Sequence, residues 1–261
     1  MKIFNLIGKD TKDSLSPYIH NFVFNVLSIK ARYEAVSIVS SADLDAVINR
    51  LRSGEINGVN VTNPYKIKII QDIDFLDSPS KDIGAVNCLD LNDINKICGY
   101  NTDWIGFQRM FASLKIKLKN KKIKIIGYGG AAHAVKYALT DMGVSEISFY
   151  NRKKNGFNIL ELPETLNDED LVINATPYHF IEKDSVILGK FKTKKLVWVD
   201  LLYTKLSTDK KNKIDKNRYF NGLDMLIHQA LESIDIWFRK KLSENVDLND
   251  LKLHLKEVID A

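Results

Sequence analysis

IKIIGYGGAAHAVKYALTDMG, residues 123–143, is the stretch on which the fold turns. An apolar run from Ile123 to Ile126 meets Gly127, Gly129 and Gly130, then an alanine-rich segment that ends at Gly143. A short apolar run that stops at glycines and gives way to strong helix formers reads as strand, tight turn and helix. Each small residue has its own reason. Gly127 permits the turn, Gly129 lets the backbone approach a pyrophosphate, and Gly130 and Ala131 let the helix lie close to the strand. The helix N-terminus then offers unpaired amides to phosphate. A second strand over 146–150 completes the unit, so the stretch predicts nucleotide binding rather than a merely structural turn.

The tip of that second strand narrows the nucleotide. An Asp or Glu there usually meets a free ribose hydroxyl. This chain has Asn151-Arg152-Lys153-Lys154 instead. Cations suit a 2′-phosphate, and the planar fork of an arginine suits it best. The expected cofactor is NADP rather than NAD.

Outward from this unit, strands fit 170–174 and 195–200. Toward the N-terminus a strand fits 2–7. Ser16 and Pro17 read as a cap and first turn, opening a helix that carries Ile19, Phe22, Val23, Val26 and Leu27. A strand fits 32–38, a helix capped by Ser41 runs to Arg52 and stops at Gly54, and a strand fits 57–61. A helix over 102–114 places Trp104, Phe107, Met110 and Phe111 on one side. After Gly222 the chain is helical to its end, with a break near Ser243 to Val246. Strand and helix in turn predict α/β sheets. The organisation expected is an α/β domain over 1–101, a Rossmann-like nucleotide-binding domain over 102–221, and helices over 222–261. A crevice between two such domains is the usual ligand site.

Composition fits this class. Of 261 residues, 45% are hydrophobic and 27% charged, which is globular rather than disordered. No run of 18 apolar residues reads as a membrane span, and MKIFNLIGK lacks the length and cleavage site of a signal peptide. A cytoplasmic protein is expected. The net charge of +5 is spread over lysine runs such as KLKNKKIK. No aromatic interleaving or nucleic-acid motif accompanies them, so they read as solvated loops and no nucleic acid is expected; a mildly basic surface also suits small anionic ligands, but the charge alone does not decide. Cys88 and Cys98 do not make a disulfide framework. His20, His133, His179, His228 and His254 show no metal-ligand spacing, and no metal is expected.

Several short segments bring polar groups to element ends. GVNVTNPYK, residues 58–66, begins as a buried strand, breaks at Asn63-Pro64 and delivers Lys66, with Thr62 just before the break. SLSPYIHN carries Ser14 and Ser16, GAVNCL carries Asn87, and GYNTDWIGF carries Asn101, Thr102 and Asp103. Taken singly, Ser16 and Thr102 also read as caps, and Asn87 as the partner of a buried backbone group. Together they supply the hydroxyls, amides, carboxylate and amine that a small polyhydroxylated carboxylic acid demands. Lys66 and Asp103 are the ionisable pair among them.

Nine segments in order, SLSPYIHN, GVNVTNPYK, GAVN, GYNTDWIGF, GYGGAAHA, NR, VINATP, VDLLY and GLDMLIHQA, run across residues 14–230. In these the chain resembles the shikimate dehydrogenases, NADP-dependent enzymes of the aromatic amino-acid pathway. The resemblance implies reversible hydride transfer between NADP and the pair 3-dehydroshikimate and shikimate. It implies Lys66 as the catalytic lysine and Asp103 as its partner. Ser14, Ser16, Thr62, Asn87, Asn101 and Gln229 correspond to substrate-binding positions, with Tyr203 near the substrate. Gly127, Gly129, Gly130, Ala131, Asn151, Arg152, Thr176 and Gly222 fall at the cofactor. It also implies that the helices over 222–261 return to the substrate domain, in a monomer or homodimer. A dehydrogenase for quinate or a related hydroxy acid, one that uses NAD included, and a non-catalytic relative are the alternative readings. The chain departs from the family's usual residues at Asp10, Asp13, Cys88, His179 and Phe180. It is short between Asn151 and Val172 for a full helix and strand, and lysine-rich between Tyr203 and Gly222.

Overall fold

The structure, a computed structural model, describes all residues except 115, 119–120, 153–155, 169, 204–213, 216 and 261. Lys153, Lys154 and most of the lysine-rich span before Gly222 therefore lie outside the described residues. The chain divides into two compact units, Met1–Gly106 with Leu226–Ala261, and Phe107–Met225.

The first unit opens with β1 (Lys2–Gly8), α1 (Ser16–Val26), β2 (Ala31–Ser37), α2 (Ser41–Arg52), β3 (Gly58–Val61) and α3 (Tyr65–Lys68). It continues with β4 (Phe75–Leu76), α4 (Ser78–Ile83), β5 (Cys88–Leu91) and β6 (Ile97–Tyr100). The strands join in the order β2-β1-β3-β5-β6-β4. β1 runs parallel to both β2 and β3, while β5 is antiparallel to its two neighbours. Ile7, Val59, Val61 and Leu89 meet Leu44, Val47, Ile48 and Leu51 of α2 in one apolar core. The helical residues fall at i, i+3, i+4 and i+7, the stripe that buries one face of a helix.

Two helix starts differ from the sequence reading. α2 is capped by Ser40, not Ser41. Ser40 Oγ accepts from the Asp43 amide, and Asp43 Oδ2 accepts from the Ser40 amide at 2.8 Å, a reciprocal capping box. Ser16 is not a cap but the first helical residue of α1, and its amide donates to Ser14 Oγ at 3.2 Å. Gly54, at φ +75°, follows the end of α2 in the left-handed region.

The helix Leu223–Phe238 lies on the sheet of the first unit. Trp237 donates Nε1–H to Leu89 O at 2.9 Å and stacks on Phe4 with centroids 4.5 Å apart. Its indole stands where a side chain at Gly58 would project, so that strand position has room for glycine alone. After a short turn at Leu242–Asn245 the helix Leu248–Asp260 follows, with His254 stacked on Phe22 of α1.

α5 (Asp103–Ser113) leads from the first unit into the second, where β7 (Ile123–Ile126), α6 (Gly130–Asp141), β8 (Ile147–Asn151) and β9 (Phe157–Asn158) follow. β10 (Leu171–Asn174), β11 (Val197–Asp200) and β12 (Tyr219–Asn221) complete it. Their order is β12-β11-β10-β7-β8-β9, with every described pairing parallel. Numbered from β7, this is 3-2-1-4-5-6, the doubly wound order of dinucleotide-binding sheets. Two α/β sheets, one of them Rossmann-like, are the fold class the sequence predicts. The short run after Asn151 becomes β9 and single turns at Ile159–Glu161 and Leu162–Thr165. Among the described residues no helix is long and apolar enough to cross a membrane.

Candidate active site

The Asn63–Pro64 turn and the α3 that follows it fix the place of Lys66. β3 ends at Val61, the Thr62 carbonyl accepts from the Tyr65 amide at 3.0 Å, and the Lys66 carbonyl accepts from the Val86 amide at 2.8 Å. The side chain then runs to Asp103, where Nζ donates to Oδ2 at 2.6 Å. The lysine side chain is 17% exposed and the aspartate 6%, so water screens this pair far less than a surface one. Asp103 is the first residue of α5, where the helix dipole favours negative charge. Asn101 Oδ1 accepts from the Asp103 amide at 3.1 Å, which leaves the Asp103 carboxylate free of capping duty.

Asn87 is the hub beside that pair. Its Oδ1 accepts from the Thr102 amide at 2.6 Å, and its Nδ2 faces Asp103 Oδ1 and Thr102 Oγ1 at 2.9 Å and Gln229 Oε1 at 3.2 Å. Three acceptors share two hydrogens, so the amide is held from several sides. Thr102 directly precedes α5, its carbonyl accepting from the Gly106 amide at 2.9 Å, while its hydroxyl belongs to the network. The network extends behind the hub: Asn60 Nδ2 donates to Asn87 O and Ser233 Oγ, and Tyr33 donates its hydroxyl to Asn60 Oδ1 at 2.8 Å. His20 stacks on Tyr33 at 3.8 Å, and its Nδ1–H donates to Ser16 O at 2.8 Å. Burial lowers the His20 imidazole to about 4 and pushes the Tyr33 phenol up.

Of the residues singled out from the sequence, the structure joins Lys66, Asp103, Asn87 and Gln229 directly. Asn101 holds the start of α5 and donates to Ala85 O at 2.9 Å. Thr62 packs against Gly8, where a side chain would collide with its methyl group. Ser14 is half-buried and Ser16 buried at the start of α1, where the Ser16 carbonyl accepts from His20 Nδ1. Asn60, Ser233 and Tyr33 went unread. Asn60 carried a signal, an amide flanked by Val59 and Val61 in a fully buried strand. Ser233 carried none, since its partner Asn60 is 173 residues away.

In the second unit a cavity of about 930 Å³ opens at the C-terminal ends of β7, β8 and β10. There the strand order reverses, the usual ligand crevice of such a sheet. Gly127, Gly129, Asn151, Arg152 and Thr176 line it. Gly127 stands at φ +109° with the Thr176 methyl 3.1 Å from where a Cβ would be, so it meets both the turn and the packing demand. Gly129 precedes α6 without a side-chain cap, and no atom lies within 4 Å of where its Cβ would stand. Bare backbone and uncapped amides at that helix start fit a pyrophosphate. Gly130 and Ala131 open α6, and Gly222 abuts the Leu201 backbone too closely for a side chain; none of the three lines the cavity. Tyr203 is half-buried beyond β11. Among the described residues no three His, Cys, Asp or Glu side chains gather as metal ligands.

Residues 6–89 match the family described as the shikimate dehydrogenase substrate binding domain. Over nearly its whole length the chain is similar to a shikimate dehydrogenase (NADP(+)) of Aquifex aeolicus, 33% identical over 247 residues that cover 90% of this chain and 91% of the relative. The crystal structure of shikimate dehydrogenase 1 from Peptoclostridium difficile superposes with a TM-score of 0.81 at 31% identity, covering 99% of this chain and 98% of that one. A Thermus thermophilus shikimate 5-dehydrogenase in complex with NADP(H) and shikimate matches with a TM-score of 0.76 at 27% identity, over 91% and 93% of the two chains.

Proposed function

The chain belongs to the shikimate dehydrogenase family, and from that premise we propose that it catalyses NADP-dependent interconversion of 3-dehydroshikimate and shikimate. Lys66 is the proton donor and acceptor in this reading, and Asp103 its partner. The observation that carries it is the 2.6 Å contact between Lys66 Nζ and Asp103 Oδ2, held inside the Asn87 and Gln229 network.

When bound, the nicotinamide supplies or accepts the hydride. The chain's own residues manage the proton. In ketone reduction the Lys66 ammonium gives a proton to the carbonyl oxygen as that oxygen becomes a hydroxyl; in the reverse direction the neutral amine takes it back. Asp103 aims the ammonium and accepts from a substrate hydroxyl. Asn87 holds the other carboxylate oxygen, so Asp103 cannot swing away from Lys66. Ser14, Ser16, Thr62, Asn101 and Gln229 are further substrate-binding positions in this reading, with Tyr203 near the substrate. These roles make the first unit the substrate domain and the second the nucleotide domain.

The cavity of the second unit supports NADP as the cofactor. Gly127 and Gly129 offer backbone to the pyrophosphate, and Thr176 walls the site. Arg152 is exposed at the cavity edge, beside the buried Asn151, and suits a 2′-phosphate. The direct test is NADPH oxidation by purified protein with 3-dehydroshikimate, run beside its quinate counterpart and beside NADH. Turnover with 3-dehydroshikimate and NADPH is expected. Turnover with the quinate counterpart alone, or with neither acid, would remove this reading.

A further inference from the structure

Behind the wall of the nucleotide cavity lies a buried carboxylate that the proposed reaction does not use. Asp200 ends β11, fully buried. Its Oδ1 accepts from Asn174 Nδ2 at 3.0 Å and from the Leu202 amide at 3.3 Å. Its Oδ2 faces His179 Nδ1 at 3.3 Å, within ion-pair distance but off the line that a good hydrogen bond needs. Burial pushes the Asp200 carboxyl up to about 6, so a nearby donor matters to it. Trp198 and Tyr219 stand against the same carboxylate.

Asn174 and His179 bracket one turn. Asn174 Nδ2 donates to Tyr178 O at 2.8 Å, while its Oδ1 accepts from the Thr176 amide at 3.0 Å and the Thr176 hydroxyl at 2.7 Å. His179 follows directly and precedes the short helix Phe180–Lys183. Thr176, Pro177 and Tyr178 all line the cavity, and Thr176 touches the place of Gly127. Asp200 therefore anchors both ends of a segment that walls the nucleotide site and abuts the glycine loop.

We propose that His179 is a positioning residue for the nucleotide: its ring, with Nδ1 3.3 Å from Asp200 Oδ2, fixes the Thr176–Tyr178 turn in the shape the cofactor needs. The inference rests on reading the cavity as the NADP site. It goes beyond that reading because His179 is not among the cavity-lining residues and acts only through Asp200.

The experiment is a fluorescence titration of NADPH into four proteins: the wild type, His179→Ala, His179→Asn and His179→Gln. Asparagine places a side-chain N–H close to where Nδ1 stands; glutamine carries the same group one bond too far. We expect His179→Ala to bind NADPH about tenfold more weakly, as for loss of one contact to a buried carboxylate. His179→Asn should return to within about threefold of the wild type, and His179→Gln should not. The Michaelis constant for the acid should stay unchanged in all four. Equal NADPH affinity in His179→Ala and the wild type overturns the proposal. So does a glutamine variant that binds as well as the asparagine one, since a general polar or space-filling role predicts that result. Should the alanine variant fail to fold, the asparagine–glutamine pair still decides. A wild type that does not bind NADPH defeats the functional reading itself, an outcome seen before any variant is made.

Discussion

Around Asn87 in the first unit, Asn60, Thr102, Asp103, Gln229 and Ser233 place their polar atoms on one another and none of these atoms lacks a hydrogen bond; at the far end of the network His20 Nε2 is buried without one. Around Asp200 in the second unit, both ring nitrogens of His179, Trp198 Nε1, the Tyr219 hydroxyl and Asp200 Oδ2 are buried without one. A closed network has one arrangement and holds it before any ligand arrives. The one behind the cavity holds its wall through Asn174 and the 3.3 Å approach of His179 to Asp200. The first plan suits proton transfer, which needs an amine held within a fraction of an ångström. The second suits a long cofactor gripped by backbone amides and a surface cation. The contrast predicts where substitutions bite: on turnover in the first unit, on nucleotide affinity in the second.

The strongest attempt to break this contrast is Lys66→Met, which keeps most of the apolar stem and removes the ammonium. Turnover should fall by about 10² to 10⁴, the usual range for a positioned acid or base. NADPH affinity by titration should hold. A comparable loss of NADPH affinity would join the two functions that the contrast separates. Arg152→Ala is the mirror experiment. NADPH should bind roughly ten- to a hundredfold more weakly, as for one or two charge-assisted contacts, while NADH is barely affected. Equal losses for the two nucleotides would take the 2′-phosphate away from Arg152.

Much of this contrast was legible in the sequence because it sits at element ends. Glycines 127 and 129 punctuate a strand and a helix, and Lys66 and Asp103 stand where a strand has just ended and a helix begins. Such sites depend on neighbours a few residues away. The capping serine of α2 was missed by one position because Ser40 and Ser41 are adjacent; only the return bond from Asp43 to the Ser40 amide separates them. The β5–β6 hairpin was not read as strands, since Gly99 and the polar turn Asn92–Lys96 interrupt its alternation. β12 has three residues and no period to detect. The second tier of the polar network was hidden for another reason. Thr102 and Ser233 meet across 131 residues, and no local pattern encodes such a meeting. The same holds for His179, which reads as a loop histidine until β11 brings Asp200 beside it.

Asp103→Asn sharpens the first side of the contrast. It keeps size and some hydrogen bonding but removes the anion. Asn101 already serves the α5 start, so capping cannot account for a loss. Turnover should fall about tenfold with the fold unchanged, which is the smaller end of acid–base effects because Lys66 itself stays in place. Near-normal rates with saturating acid and NADPH would reduce Asp103 to a structural partner of Lys66.

The smallest effect tests how closed the first network is at its far end, where His20 stacks under Tyr33. Burial holds the folded imidazole near 4, against an unfolded value of 6.5. Below 6.5 the unfolded chain gains a proton that the folded chain refuses, so stability is lost as pH falls from 6.5 toward 4. Between pH 7 and 5.5 this amounts to on the order of 1 kcal/mol. Asp90 in the first unit and Asp200 in the second have the opposite sign. Their folded values are raised to about 6 from 3.8, so they add stability at low pH and lose it as pH rises through 6. The wild-type profile alone therefore mixes the two signs. His20→Asn separates them, because it keeps a donor for the Ser16 carbonyl and does not titrate. Its deficit against the wild type should be largest at pH 7 and shrink by on the order of 1 kcal/mol by pH 5.5 in paired urea unfolding curves. A deficit that stays constant across that range would mean that water reaches the imidazole and that the network is open at this end.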